Sequence, residues 1–145
     1  MNKKTMKAFT FKRYGKSPEL GFDDVDFPSP GDDEILVKVY AVGLNPIDNM
    51  IPTGMFKRVL HFSLPATLGS DVSGVVVATG RRVTRFKAGD EVFASIFDRG
   101  TGSLAEFVRV PENLAALKPA TLDFVQAASL PMVSLTSWQA LTERA

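Results

Sequence analysis

Two short segments of this chain carry side chains able to do chemistry. The first is Gly43-Leu44-Asn45-Pro46-Ile47-Asp48. Asn45 suits a helix N-cap, Pro46 the first helical position and Asp48 the first turn, so a purely structural role explains all three. The alternative is a strand-end helix that points the Asn45 amide into a cleft, where it could hydrogen-bond a ribose hydroxyl or a carbonyl. The second is Leu68-Gly69-Ser70-Asp71-Val72-Ser73-Gly74. Its glycines permit close backbone approach, and Ser70 and Asp71 are polar beside an apolar run. A turn in which Asp71 accepts from nearby backbone amides accounts for it equally well.

Other chemistries are poorly supplied. Catalytic zinc takes three ligands from Cys, His, Asp and Glu. The chain has no cysteine and one histidine, His61, whose neighbours Leu60 and Phe62 predict a core or edge residue. Gly100-Thr101-Gly102-Ser103-Leu104-Ala105 matches the letters of a dinucleotide fingerprint. That fingerprint needs a strand before it and a helix after it. Here a strand-like run follows and Pro111 blocks extension, so the segment is predicted to be a hairpin turn. No spacing suggests a Ser, His and Asp triad.

The elements that position these groups are mostly strands. Met6 to Arg13 and Leu20 to Phe27 read as strands, separated by Tyr14-Gly15 and closed by Pro28-Ser29-Pro30-Gly31-Asp32. Glu34 to Val42 has the clearest alternation, with Ile35, Val37 and Val39 on one side and Leu36, Lys38 and Tyr40 on the other. Val72 to Ala78 is predicted to be buried on both faces. Strands follow at Glu91 to Ile96, after the Lys87-Ala88-Gly89-Asp90 turn, and at Leu104 to Val110. The pattern then turns helical. Asp123 opens an Ala-rich helix to Leu130, and Pro131 precedes a helix from Met132 to Arg144. Val133, Leu135, Trp138 and Leu141 are predicted to form one apolar face that buries against something. The helix runs almost to Ala145 with no glycine cap, which suggests a cut at a domain boundary. The predicted fold is mainly β, a twisted and partly open barrel with helices at its C-terminal end.

Composition narrows the function. The 145 residues are 45% hydrophobic, enough for one packed domain. Net charge is +1 with no long block of like charge, which leaves nucleic-acid binding without an electrostatic footprint. Lys3-Lys4 and Arg81-Arg82 are short groups, the latter read as a solvated turn. No apolar run is long enough to span a membrane. Lys7, Lys12 and Arg13 interrupt any signal-peptide core. With no cysteine, a cytoplasmic protein is expected.

Taken in order, the segments resemble the zinc-independent branch of the medium-chain dehydrogenase/reductase family, especially quinone oxidoreductases and alkenal or enone reductases. The resemblance rests on Val37 to Asp48, Leu64 to Val76, Phe86 to Phe93 and Gly102 to Phe107. It continues through Leu117-Lys118-Pro119, Asp123 to Pro131 and Leu135 to Leu141. It implies a GroES-like domain over residues 1–130 and an interdomain helix over 131–145. A Rossmann domain is absent from this sequence and is expected beyond it, together with any homodimer contacts.

Zinc-dependent relatives place Cys where this chain has Asn45, and His and Glu where it has Ser70 and Asp71. They also carry a lobe of four cysteines that is missing here. The chemistry implied is metal-free hydride transfer from NADPH to a quinone or to the β-carbon of an α,β-unsaturated carbonyl. By this resemblance Asn45 and Asp48 lie beside the nicotinamide ribose and substrate. Thr136 approaches the nicotinamide side of the cofactor. Ser70 and Asp71 line the cleft, Asp71 more as an anchor than as a proton donor, and water is expected to supply the second proton. Met50 stands where many quinone reductases have an aromatic ring, a departure that tilts the expected substrates towards enals and enones. Met55 to Ser63 is read as ordinary packing rather than as an apolar rim to the pocket. The 145 residues alone are expected to be inactive. Two other readings are a stand-alone GroES-like binding module and a piece of a zinc alcohol dehydrogenase.

Overall fold

The alternating N-terminal residues form β1 (Thr5–Arg13), which buries Met6, Ala8 and Thr10 on one face. It pairs antiparallel with β2 (Glu19–Asp26), from Thr5 opposite Asp26 to Phe11 opposite Leu20. A two-residue strand, β4 (Ala66–Thr67), pairs with the other edge of β1. This three-stranded sheet belongs to the computed structural model, which describes residues 4–143.

A second sheet carries most of the core. Its order is β7-β3-β5-β6-β8, built from β3 (Glu34–Gly43), β5 (Asp71–Thr79), β6 (Glu91–Ser95), β7 (Phe107–Pro111) and β8 (Ala115–Leu117). Every neighbouring pair is antiparallel. Ile35, Val37, Val72, Val76, Val92 and Val110 are almost fully buried between its strands. Each such side chain contributes about 1.5–3 kcal/mol when removed from water. A smaller cluster of Phe11, Ile51 and Leu68 sits under the first sheet.

The two sheets meet along Leu104 to Glu106. Phe9 N–H donates to Leu104 O at 2.7 Å, and Glu106 N–H to Lys7 O at 3.0 Å. On the other side Val39 N–H donates to Glu106 O at 2.9 Å. These bonds stitch β1 to β3 through an intervening segment, with Ala8 and Ala105 forming an isolated bridge. The result is a mainly β, partly open barrel that does not close, with helices towards the C-terminus and no βαβ unit among the described residues.

Several expectations need correction. Gly100 to Ala105 is not a hairpin turn: the strands on either side, β6 and β7, are separated by β5 and β3. The segment is a crossover, fastened by Gly102 N–H to Gly69 O at 2.8 Å and Leu104 N–H to Leu68 O at 2.9 Å. The strand predicted from Leu104 begins at Phe107, because Leu104 to Glu106 bonds to β1 instead. β5 is buried on both faces only in its first half, where α2 (Phe124–Ala128) packs against it; Val77 is exposed. The first C-terminal helix is thus shorter than predicted, with Asp123 as its cap.

The second helix, α3 (Pro131–Glu143), has no single apolar face. Val133, Leu135, Trp138 and Leu141 span roughly 200° of the helix circumference at 100° per residue, and all four are exposed. Arg144, its predicted last residue, lies outside the described residues, as does Lys3. No described helix is long and apolar enough to cross a membrane.

Candidate functional site

The strongest predicted strand ends at Gly43, and the chain turns there into a five-residue helix, α1 (Pro46–Met50). Asn45 and Asp48 occupy the N-cap and third helical positions of a capping box. Asn45 N–H donates to Asp48 Oδ2 at 2.7 Å, and Asp48 N–H to Asn45 O at 3.0 Å. The turn is therefore closed from both ends. Met50, at the far end of α1, is partly exposed and belongs to none of these bonds.

The Asn45 side chain reaches another element. Its amide nitrogen donates to Asp71 Oδ2 at 3.1 Å. The same oxygen accepts from Met132 N–H at 3.0 Å, across 61 positions of sequence. Asp71 opens β5, opposite Gly43 on one side and Ser95 on the other. Its carboxylate thus meets the first turn of α3, where unpaired backbone amides and the helix dipole favour negative charge. One carboxylate oxygen joins the strand-end turn, the central strand and the last helix.

Neighbouring contacts hold this corner shut. Ser73 Oγ donates to Phe124 O at 2.5 Å, tying β5 to α2. A Cβ on Gly43 would lie 2.2 Å from Ala128 O, so only glycine lets α2 approach β3 this closely. Gly69 takes φ +86°, and a Cβ there would meet Ser103 Oγ at 2.5 Å.

Asp48, Ser70 and Asp71 are all buried, at 4%, 0% and 1% exposure. Asp48 Oδ1, Ser70 Oγ and Asp71 Oδ1 complete no hydrogen bond. Burial pushes the Asp48 carboxyl above the ordinary carboxylate range. The Asn45 N–H opposes that rise and the nearby charge of Asp71 adds to it.

The structure brings Asn45, Asp48, Ser70 and Asp71 together and leaves Met50 and Thr136 at the margins. Thr136 is exposed on α3, one turn beyond Met132. It lines a cavity of about 230 Å³ with Ser95, Phe97, Leu114, Leu135 and Gln139. Asn45 is not part of that lining; the connection runs through Asp71, Met132 and Ser95. Ser73 and the Met132 amide were not anticipated as site groups. Pro131, a marker of a helix start, was the available signal for Met132.

The outer segment behaves differently. Phe62 stacks edge-to-face on Phe11 with centroids 5.9 Å apart, and Leu60 joins the same cluster. That is packing. His61, expected at a core or edge, is exposed beside Phe62.

The donor set does not fit catalytic zinc. Asn45, Ser70 and Asp71 offer an amide, a hydroxyl and a carboxylate already bonded to two N–H groups, with no His or Cys among them. Among the described residues no three His, Cys, Asp or Glu gather closely enough to hold a metal ion. For a nicotinamide cofactor the fit is partial. The Thr136 cavity sets Phe97, Leu114, Met132 and Leu135 beside Ser95, Asp98, Asn113, Thr136 and Gln139, apolar walls with a largely polar edge. No described strand–Gly-rich turn–helix unit is present to receive a pyrophosphate.

Comparison with known proteins agrees with this geometry. Residues 31–120 match the alcohol dehydrogenase GroES-like domain. The chain belongs to that family. It is 39% identical to a chloroplastic quinone-oxidoreductase homolog of Spinacia oleracea, over 99% of this chain and 44% of that protein. It is 40% identical to the chloroplastic NADPH-dependent alkenal/one oxidoreductase of Arabidopsis thaliana, over 95% of this chain and 37% of that protein. Among solved structures, the Escherichia coli quinone oxidoreductase complexed with NADPH superposes with a TM-score of 0.84. The identity is 29%, over 94% of this chain and 40% of that one. This GroES-like chain therefore spans about two fifths of the length of the oxidoreductases it matches.

Proposed function

We propose that these residues form the substrate-side wall of an NADPH-dependent oxidoreductase that reduces quinones or α,β-unsaturated carbonyls without a metal. The observation that carries this reading is the three-way junction at Asp71 Oδ2. It fixes Asn45 and the start of α3 in one frame, with Thr136 a turn further along. The named activities of the relatives supply the reaction class.

NADPH, when bound, supplies the hydride. Asn45 is the group that orients a ribose hydroxyl or substrate carbonyl through its amide. Thr136 offers a hydroxyl to the nicotinamide edge. Met50 offers an adaptable apolar contact, which favours enals and enones over flat quinones. Asp71 acts as the anchor. The proton that completes the reduction comes from water. Residues 1–130 serve as the substrate-side domain and 131–145 as the helix leading to the cofactor-binding part, without which no turnover is expected. Homodimer contacts would lie in that other part, and a reducing compartment such as the cytoplasm suits the cysteine-free chain.

The test uses the whole protein, with NADPH oxidation followed against a quinone and an enone. Turnover should survive EDTA, whereas loss restored by zinc would refute the metal-free reading. Asn45→Ala should lower kcat by roughly tenfold or more while the protein stays folded. Loss of stability alone would return Asn45 to the role of a helix cap.

A further inference from the structure

The cavity beside Thr136 carries charge of one sign. Of the residues that line its volume of about 230 Å³, Asp98 alone is charged, among neutral polar groups such as Ser95, Asn113, Thr136 and Gln139. Asp98 lies in the 3-10 turn Phe97–Arg99 that follows β6, and it is exposed. Among the described residues it enters no ion pair and no side-chain hydrogen bond. Arg99, the next residue, lines two other cavities, both with Glu34 and Pro111, and neither of them includes Asp98.

The neighbouring elements bring no cation to this wall. Within α3 the one charged residue is Glu143, at its far end. Arg85 donates to Glu112 O and Ala115 O, Lys118 donates to Leu122 O, and neither side chain lines the cavity. The positive feature that remains is the start of α3, where Met132 joins the lining. A helix N-terminus carries roughly half a unit of positive charge. Asp71 Oδ2 already accepts the Met132 N–H at 3.0 Å, so a full negative charge stands against that half. The wall is negative in sum, and such a wall repels anions while leaving uncharged molecules unopposed.

We propose that Asp98 is a specificity-determining residue of this cavity: its carboxylate turns away substrates that carry a negative charge and admits uncharged quinones, enals and enones. Ser95, Thr136 and Gln139 remain to hydrogen-bond an uncharged carbonyl. A like charge about 4–6 Å away across a water-exposed wall is worth roughly threefold to tenfold in affinity. Salt should shrink that factor. The choice among substrates rests on the reading of this wall as part of a carbonyl or quinone reductase. The charge filter does not, and it can be read by binding alone.

The experiment uses the whole protein and a matched pair of ligands, an enone with a terminal carboxylate and its methyl ester. NADPH oxidation gives kcat/KM for each, and the backbone amide shift of Gln139 gives each Kd without turnover. The wild type should favour the ester in both readouts, and the preference should shrink at high salt. Asp98→Asn should narrow the ratio roughly threefold to tenfold, and Asp98→Lys should reverse it. A merely structural role for Asp98 would move both ligands together and leave the ratio alone. Ratios that are the same in all three proteins would overturn the proposal, as would a wild-type ratio indifferent to salt, which needs no variant to fold. A Kd ratio that follows residue 98 in a protein that reduces neither ligand would keep the charge filter and remove the reductase reading. Reduction of both ligands with a ratio indifferent to residue 98 would do the reverse.

Discussion

Two regions of this molecule use aspartates in opposite ways. At the turns that precede β3 and follow β5, Asp32 and Asp33 meet Arg81 and Arg82. Arg81 Nη2 lies 2.6 Å from Asp32 Oδ2, and Arg82 Nε donates to Asp33 Oδ1 at 2.7 Å. These groups stand in solvent. At the other end of the same two strands, Asp48 and Asp71 are buried, and among the described residues no arginine or lysine pairs with either. The exposed aspartates have full cations as partners, and water screens what each pair contributes. The buried ones have only N–H groups, at helix starts, in a place where every unpaired atom matters. Ion-pair count is thus a poor guide to which end of the sheet holds the fold together.

Substitutions can break that contrast. The largest effect should come from Gly43→Ala, since a Cβ 2.2 Å from Ala128 O must push α2 off β3. A loss of about 3 kcal/mol by urea denaturation is expected; a loss below 1 kcal/mol would show that the corner can yield. Asp71→Ala strands the Asn45 amide and Met132 N–H and should cost about 2–3 kcal/mol. It should also raise hydrogen exchange in the first turn of α3, and unchanged exchange there would remove Asp71 from its anchoring role. Ser73→Ala leaves Phe124 O without its donor and should cost about 1 kcal/mol. Arg82→Ala, for all its short contacts, should leave the denaturation midpoint within error at physiological salt.

The two regions should also differ in the sign of their pH dependence. The Arg82 guanidinium holds the Asp33 carboxyl below the ordinary range. Its contribution is present above the unfolded value and disappears as pH falls through the depressed one. For Asp48 the folded value is raised, so stability is fullest below the unfolded value and declines as pH rises through the folded one. At low salt, where the exposed pair is least screened, removing the Asp33 pair should flatten the acid limb of a Tm–pH curve, and Asp48→Asn the limb above it. If both variants altered the same limb, the contrast between the regions would fail.

Much of the sheet was legible beforehand. β1, β2, β3 and β6 fall within a residue or two of the alternating runs, because a half-buried strand shows its period of two directly. β4 and β8 were missed, being two and three residues long and too short to show any period. The hairpin read into Gly100 to Ala105 failed for another reason. Turn chemistry reports that the chain bends, not which strand it rejoins. Asn45, Asp48, Ser70 and Asp71 were legible as candidates from residue type alone. Their roles were not, since a helix cap and a tertiary anchor require the same polar side chains.

The sequence by itself determined the lack of thiol ligands, the strand that ends at Gly43, the helix start at Pro46 and the helix start at Pro131. These follow from composition, local periodicity and restricted backbone angles, which need no distant partner. Only the tertiary structure decided that Asp71 Oδ2 would join Asn45 to Met132. The second donor there is a backbone N–H, which nearly every residue carries, so no residue type could announce it. The folded position of α3 selects which of them it is.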